Sequence, residues 1–133
     1  METPDCLIVL VVDDSDDARL MLAEYLAAAA GFRVKTAADG LRAIEVAQQV
    51  KPGIIIMDLA MPVLDGTSAI RRLNADPETR GIPILVLTAF RPSDAPCRQA
   101  LEAGAAEVPI SPQHIEQRIR HYCSQPPPTP IEV

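Results

Sequence analysis

The stretches LIVLVVDD (residues 7–14) and GIIIMD (residues 53–58) decide how this chain folds. In each, an unbroken apolar run stops at an ionisable side chain, as a buried strand does where it leaves the core. Carboxylates at two such strand ends, Asp13 and Asp14 on the first and Asp58 on the second, can converge on one cleft. Two charges ~4 Å apart repel by about 4 kcal/mol at an effective dielectric of 20, so convergence calls for a cation or a chemical step. The pattern points to a metal-assisted acidic site.

The alternation of apolar run and helical pattern continues in both directions from these stretches. Ser15 to Ala30 carries Leu20, Leu22, Tyr25, Leu26 and Ala29 at mixed helical spacings before Gly31, a helix stop. Phe32 to Thr36 reads as a second strand. Gly40 to Val50 reads as a helix with Leu41, Ile44, Val46 and Ala47 on one side, ended by Lys51 and Pro52. After the third strand, Gly53 to Asp58, a loop holding Met61, Pro62, Asp65 and Gly66 leads to a helix from about Thr67 to Ala75, then to the breaker-rich turn Asp76 to Gly81. Ile82 to Thr88 reads as strand four, Ser93 to Ala103 as a helix closed by Gly104, and Ala105 to Ile110 as a short fifth strand. Ser111 is suited to cap a last helix with Pro112 in its first turn, and Ile115, Ile119 and Tyr122 then share a face.

Strands alternating with helices through short loops imply a parallel sheet covered on both faces, because each right-handed crossover returns a helix to the sheet. The expected fold class is α/β, with a flavodoxin-like five-stranded parallel sheet in the order 2-1-3-4-5. Strands one and three are then neighbours, and Asp13, Asp14 and Asp58 lie side by side. A length of 133 residues fits one domain, expected over residues 1–125. Residues 126–133, PPPTPIEV, cannot continue a helix and read as a Pro-rich tail, a linker toward another domain or a ligand segment for a partner.

The composition closes off several functions. A net charge of -6 with ten arginines and two lysines dispersed along the chain argues against direct nucleic-acid binding. No 18-residue apolar stretch suggests a membrane span, and the N-terminal segment lacks the basic region of a secretory signal, so a cytoplasmic location is expected. Cys6, Cys97 and Cys123 have no CxxC spacing and read as reduced thiols. With 3% aromatic residues the core falls to Ile, Leu, Val and Ala, a composition that suits a covered parallel sheet.

Four motifs, VVDDSDDARLMLAEYL, IIIMDLAMPVLDG, ILVLTA and GAAEVPISP, occur in an order that resembles the receiver domain of bacterial two-component response regulators. The resemblance covers roughly residues 6 to 123. It implies that Asp58 accepts a phosphoryl group from a phosphohistidine on a histidine kinase or phosphotransfer protein. It also implies that Asp13, Asp14, Asp58 and the backbone carbonyl of Ala60 hold Mg²⁺, which favours oxygen ligands and keeps several waters. Thr88 matches the family's hydroxyl that senses the phosphoryl group. The implied output is altered binding of a downstream protein through the face of the fourth helix, fifth strand and last helix, with a homodimer as a further outcome. Read singly, the acidic pair also fits a solvated helix start, Asp58 a turn residue, and Thr88 a strand-end hydroxyl.

The chain departs from the family at two positions. Ser111 stands where the family has a lysine, and Val108 where it has an aromatic residue; Lys35 and Lys51 are the only lysines. A charge-assisted hydrogen bond contributes about 1.5–3 kcal/mol, so its loss weakens the bias toward an activated conformation by roughly 10- to 150-fold. Arg91, three residues past Thr88, offers a substitute cation or a solvated loop arginine. These departures leave an alternative, a degenerate receiver that binds partners without phosphorylation. A small phosphatase with an aspartyl-phosphate intermediate fits worse, because the second acid such enzymes commonly use falls at Ala60. His114 and His121 read as surface residues of the last helix.

Overall fold

The computed structural model describes residues 8–61 and 63–123. Four strands, β1 (Ile8–Val12), β2 (Arg33–Ala37), β3 (Ile54–Met57) and β4 (Ile84–Val86), form a parallel sheet in the order β2-β1-β3-β4. Five helices accompany them: α1 (Asp16–Glu24), α2 (Gly40–Val50), α3 (Gly66–Ala75), α4 (Ala95–Ala103) and α5 (Ile115–Cys123). Because side chains alternate along a strand, β1 and β3 feed two cores. Leu10, Val12, Ile55 and Met57 pack with Ala43 and Ala47 of α2, Ile70 and Leu73 of α3 and Ala100 of α4. Val9, Val11, Ile54 and Ile56 pack on the other face with Leu26, Ile115 and Ile119. Both central strands are buried on both faces, which is why they read as continuous apolar runs.

The expected fifth strand is a correction. Residues 105–110 run beside β4 but make only one isolated bridge, Leu85 to Glu107, instead of a ladder. Three backbone hydrogen bonds tie the segment to β4: Ala106 N to Ile84 O at 2.8 Å, Val86 N to Glu107 O at 2.9 Å and Ile110 N to Val86 O at 2.8 Å. Pro109 has no N–H to continue the pattern. Strand four is also shorter than Ile82 to Thr88, since Pro83 removes a donor at its start.

The first helix runs through Asp16–Glu24 and passes into a π-helical turn at Tyr25–Ala29, which shifts the phase of the residues that follow. Leu26 faces the core, whereas Leu20 and Tyr25 are exposed. In α2 the buried set is Gly40, Ala43, Val46 and Ala47, with Leu41 exposed. Ile115 and Ile119 of α5 are buried and Tyr122 packs against their cluster, as their spacing requires. His114 and His121 are exposed. Cys97 is a free, buried thiol, and burial pushes its pKa up. Cys6, Pro62 and the proline-rich stretch 126–133 lie outside the described residues. No described helix is long and apolar enough to cross a membrane.

Candidate functional site

Asp13 and Asp58 are brought level by the pairing of β1 with β3. In this register Val12 lies opposite Met57, and the Asp58 N–H donates to Val12 O at 3.0 Å. The Asp13 N–H in turn donates to Ala37 O at 3.2 Å. Asp13, Asp14 and Asp58 each present a carboxylate oxygen within 4.8 Å of the other two. Asp13 and Asp58 are half-buried and Asp14 is exposed. Local capping fixes the acidic loop: Asp13 Oδ1 accepts from Ser15 N at 2.9 Å, and Ser15 Oγ caps α1 by accepting from Ala18 N at 3.2 Å.

Burial, followed by the neighbouring charge of Asp13 and then that of Asp14, pushes the Asp58 carboxyl above its usual range. The backbone N–H groups of Ala60 and Leu59 act against this shift without cancelling it. A cation among the three carboxylates would relieve the repulsion. Three carboxylate oxygens within 4.8 Å of one another form a donor set that could hold a divalent cation, and Mg²⁺ takes oxygen ligands of this kind.

The loop after Asp58 packs tightly. A Cβ on Gly66 would lie 2.5 Å from Asp58 O and 2.8 Å from Leu59 Cα, so a side chain there would displace the loop. Gly66 N also donates to Leu59 O at 2.9 Å, and Asp65 caps α3 by accepting from Ser68 N at 2.8 Å. Gly40 performs the same service from α2, where a Cβ would stand 2.4 Å from Leu64 O. Between these anchors Val63 is 74% exposed and adopts φ 70°, a left-handed conformation unfavourable for a β-branched residue.

Asp13, Asp58, Leu87, Thr88, Ala89 and Pro112 line a cleft of about 330 Å³. Thr88 therefore shares the cleft with the acidic groups, and its Oγ1 accepts from Phe90 N at 3.4 Å. Ala60 is exposed and does not line this cleft, though its backbone N–H bonds to the Asp58 carboxylate. Among the described residues, no lysine or arginine lines this cleft. Ser111 instead caps the turn Pro112–His114, its Oγ accepting from Gln113 N at 3.3 Å. The Arg91 side chain is 82% exposed and lies 3.8 Å from Asp94, and it does not line the cleft. Val108 packs as a partly buried residue against the α2–α4 core. On the outer side, Glu107 accepts from Arg118 Nε at 3.0 Å, from Arg118 Nη2 and from the Tyr122 hydroxyl at 2.9 Å. The Arg118 bond is the main cause holding the Glu107 carboxyl below its ordinary range.

Three contributors were not singled out from the sequence. Arg19 donates from Nη1 to Asp13 O at 2.8 Å; its signal was the i, i+3 spacing to Asp16. Leu87 was read only as part of a strand, and Pro112 only as a helix-starting residue, yet both line the cleft.

Comparison with known proteins agrees with this architecture. A profile of the response regulator receiver domain matches residues 9–120. A protein-glutamate methylesterase/protein-glutamine glutaminase of Anaeromyxobacter dehalogenans is 46% identical over 101 residues, covering 75% of this chain. The chain spans only 28% of that relative's length. The receiver domain of a signal transduction histidine kinase from Syntrophus aciditrophicus superposes with a TM-score of 0.79 at 27% identity, covering 95% of this chain and 97% of that one. The receiver domain of sensor histidine kinase PA1611 from Pseudomonas aeruginosa PAO1, solved with a magnesium ion coordinated in its active site cleft, gives 0.77 at 28% identity, with 90% and 98% covered. With its sheet order, its acidic strand ends and this match over most of its length, the chain belongs to the response regulator receiver domain family.

Proposed function

We propose that this chain is a phosphoacceptor receiver of a two-component system. Asp58 takes a phosphoryl group from a phosphohistidine of a histidine kinase or phosphotransfer protein. Asp13, Asp14, Asp58 and the Ala60 carbonyl would hold Mg²⁺, which supplies charge neutralisation for the transferred phosphoryl oxygens. The observation that carries this reading is the meeting of three carboxylates from two strand ends beside Thr88 in one cleft. In the transfer, an Asp58 carboxylate oxygen attacks phosphorus, the P–N bond breaks, and its electron pair leaves with the imidazole. Asp58 must be ionised to attack, and a cation beside it would favour that form against the burial and repulsion that raise its pKa. The Thr88 hydroxyl keeps its hydrogen for a phosphoryl oxygen, because its bond from Phe90 N uses a lone pair.

The chain is a signalling module and not an enzyme in this reading, since Ala60 supplies no acid for turnover. Its site is cytoplasmic, and its output is altered protein binding through the face of α4, residues 105–110 and α5, self-association included. The test is an amide spectrum of the full chain with Mg²⁺ and beryllofluoride, a phosphoryl mimic. Shifts at Thr88 and residues 105–111, absent in Asp58→Asn, are expected. An unchanged wild-type spectrum would favour a phosphorylation-independent interaction module, the reading suggested by Ser111 and Val108.

A further inference from the structure

We propose that Arg19 is the positioning residue of the acidic site, setting its affinity for a divalent cation through the backbone of Asp13. The inference rests on the cation-binding reading above and deepens it. Arg19 lies in the first turns of α1, and its guanidinium bridges two acceptors. Nη1 donates to Asp13 O at 2.8 Å and Nη2 to Asp16 Oδ1 at 2.5 Å. The arginine side chain is 14% exposed while that of Asp16 is 78% exposed, so the fork is packed inward and its partner carboxylate stays on the surface. Both backbone polar groups of Asp13 are then tied, the N–H to Ala37 O at 3.2 Å and the carbonyl to Arg19. The Asp13 carboxylate is held on the same short loop by Ser15 N. Its direction toward Asp14 and Asp58 is thus fixed from three sides before any ion arrives.

Arg19 exerts two effects of opposite sign on a cation in the cleft. Its positive charge repels the ion, and its tether pre-organises a ligand. Pairing with Asp16 neutralises much of the charge, so the tether dominates. A planar fork suits this task better than an ammonium, which is a compact point charge without fixed two-acceptor geometry.

The experiment is a Mg²⁺ titration of the full chain followed by amide spectra, comparing wild type with Arg19→Gln, Arg19→Lys and Asp16→Asn. Arg19→Gln is expected to weaken Mg²⁺ binding about 10-fold, the lower end for loss of a group that orients a metal ligand. Arg19→Lys should recover part of the loss, and Asp16→Asn should show a smaller one. The Ser15 amide resonance should move in the Mg²⁺-free variants, reporting a reoriented Asp13 carboxylate, while melting points in EDTA stay within a few degrees of wild type. Tighter binding in Arg19→Gln would show that Arg19 acts only as a repelling charge, and unchanged binding that it only anchors the helix; either overturns the proposal. If Arg19→Gln does not fold, Asp16→Asn decides by the same criteria. A wild type that gives no Mg²⁺ response would overturn the acidic site itself, an outcome distinct from variants that bind as well as wild type.

Discussion

On one side of the cleft, β1 and β3 are paired through a continuous register and buried on both faces; on the other, β4 has three residues and its outer neighbour, 105–110, makes a single bridge. The first side carries the acidic groups and the second carries Thr88, Val108 and Ser111. The acidic groups thus sit on the part of the sheet with the fullest pairing and burial. The part that departs from the family is held by fewer backbone bonds and, on its outer side, by the bonds from Arg118 and Tyr122 to Glu107.

Stability measurements give the widest test of this contrast. Ile55→Ala should cost about 3–4 kcal/mol in chemical denaturation, because the site is fully buried between β1 and β4. Val108→Ala, at a partly buried position, should cost about 1 kcal/mol. Equal losses would erase the distinction between the two sides.

Asp58→Asn sharpens the contrast electrostatically. Because its carboxyl is raised above 3.8 in the folded chain, the folded state keeps that proton to higher pH than the unfolded state does. The resulting destabilisation is absent below the ordinary carboxylate value, grows as pH rises through the raised one, and is fully present above it. In EDTA at pH 7, Asp58→Asn should therefore stabilise by about 1 kcal/mol after allowance for solvent screening, or roughly 4 °C. The gain should vanish near pH 3 and shrink when Mg²⁺ is added. A loss of stability in EDTA at pH 7 would contradict the repulsion described here.

The smallest effect concerns the loop between the two sides. Val63→Asn removes a β-branched side chain from φ 70° and should stabilise by up to about 1 kcal/mol, read as a higher melting point. No change would mean that the loop carries no strain there.

These residues also mark what the sequence made legible. Runs such as Val9–Val12 and Ile54–Met57 announced strands because burial on both faces leaves no polar alternation, and the acidic groups stood out by ending those runs. The segment Ala105–Ile110 also read as a strand, yet it is interrupted by Glu107, Pro109 removes a ladder donor, and the edge does not close into a strand. In the first helix the mixed spacing of Leu20, Leu22, Tyr25, Leu26 and Ala29 singled out no buried face; Leu26 is buried, Leu20 and Tyr25 face solvent, and from Tyr25 onward the π-helical turn departs from a 3.6-residue period. Asp13, Asp14 and Asp58 could be grouped from strand order, but the Arg19 tether depends on a side chain reaching back to the preceding loop. Periodicity holds no record of such a contact. Nor does it show that Gly66 is needed because Asp58 O leaves no room for a side chain.

The most direct test is covalent. Incubate the full chain with a small acyl-phosphate donor, with Mg²⁺ or with EDTA, and follow the product by intact mass and peptide mapping. A single phosphoryl adduct on Asp58 that requires Mg²⁺ and is lost in Asp58→Asn is the expected result. Incorporation that is indifferent to Mg²⁺, or that persists in Asp58→Asn, would contradict the joint role assigned to Asp13, Asp14 and Asp58.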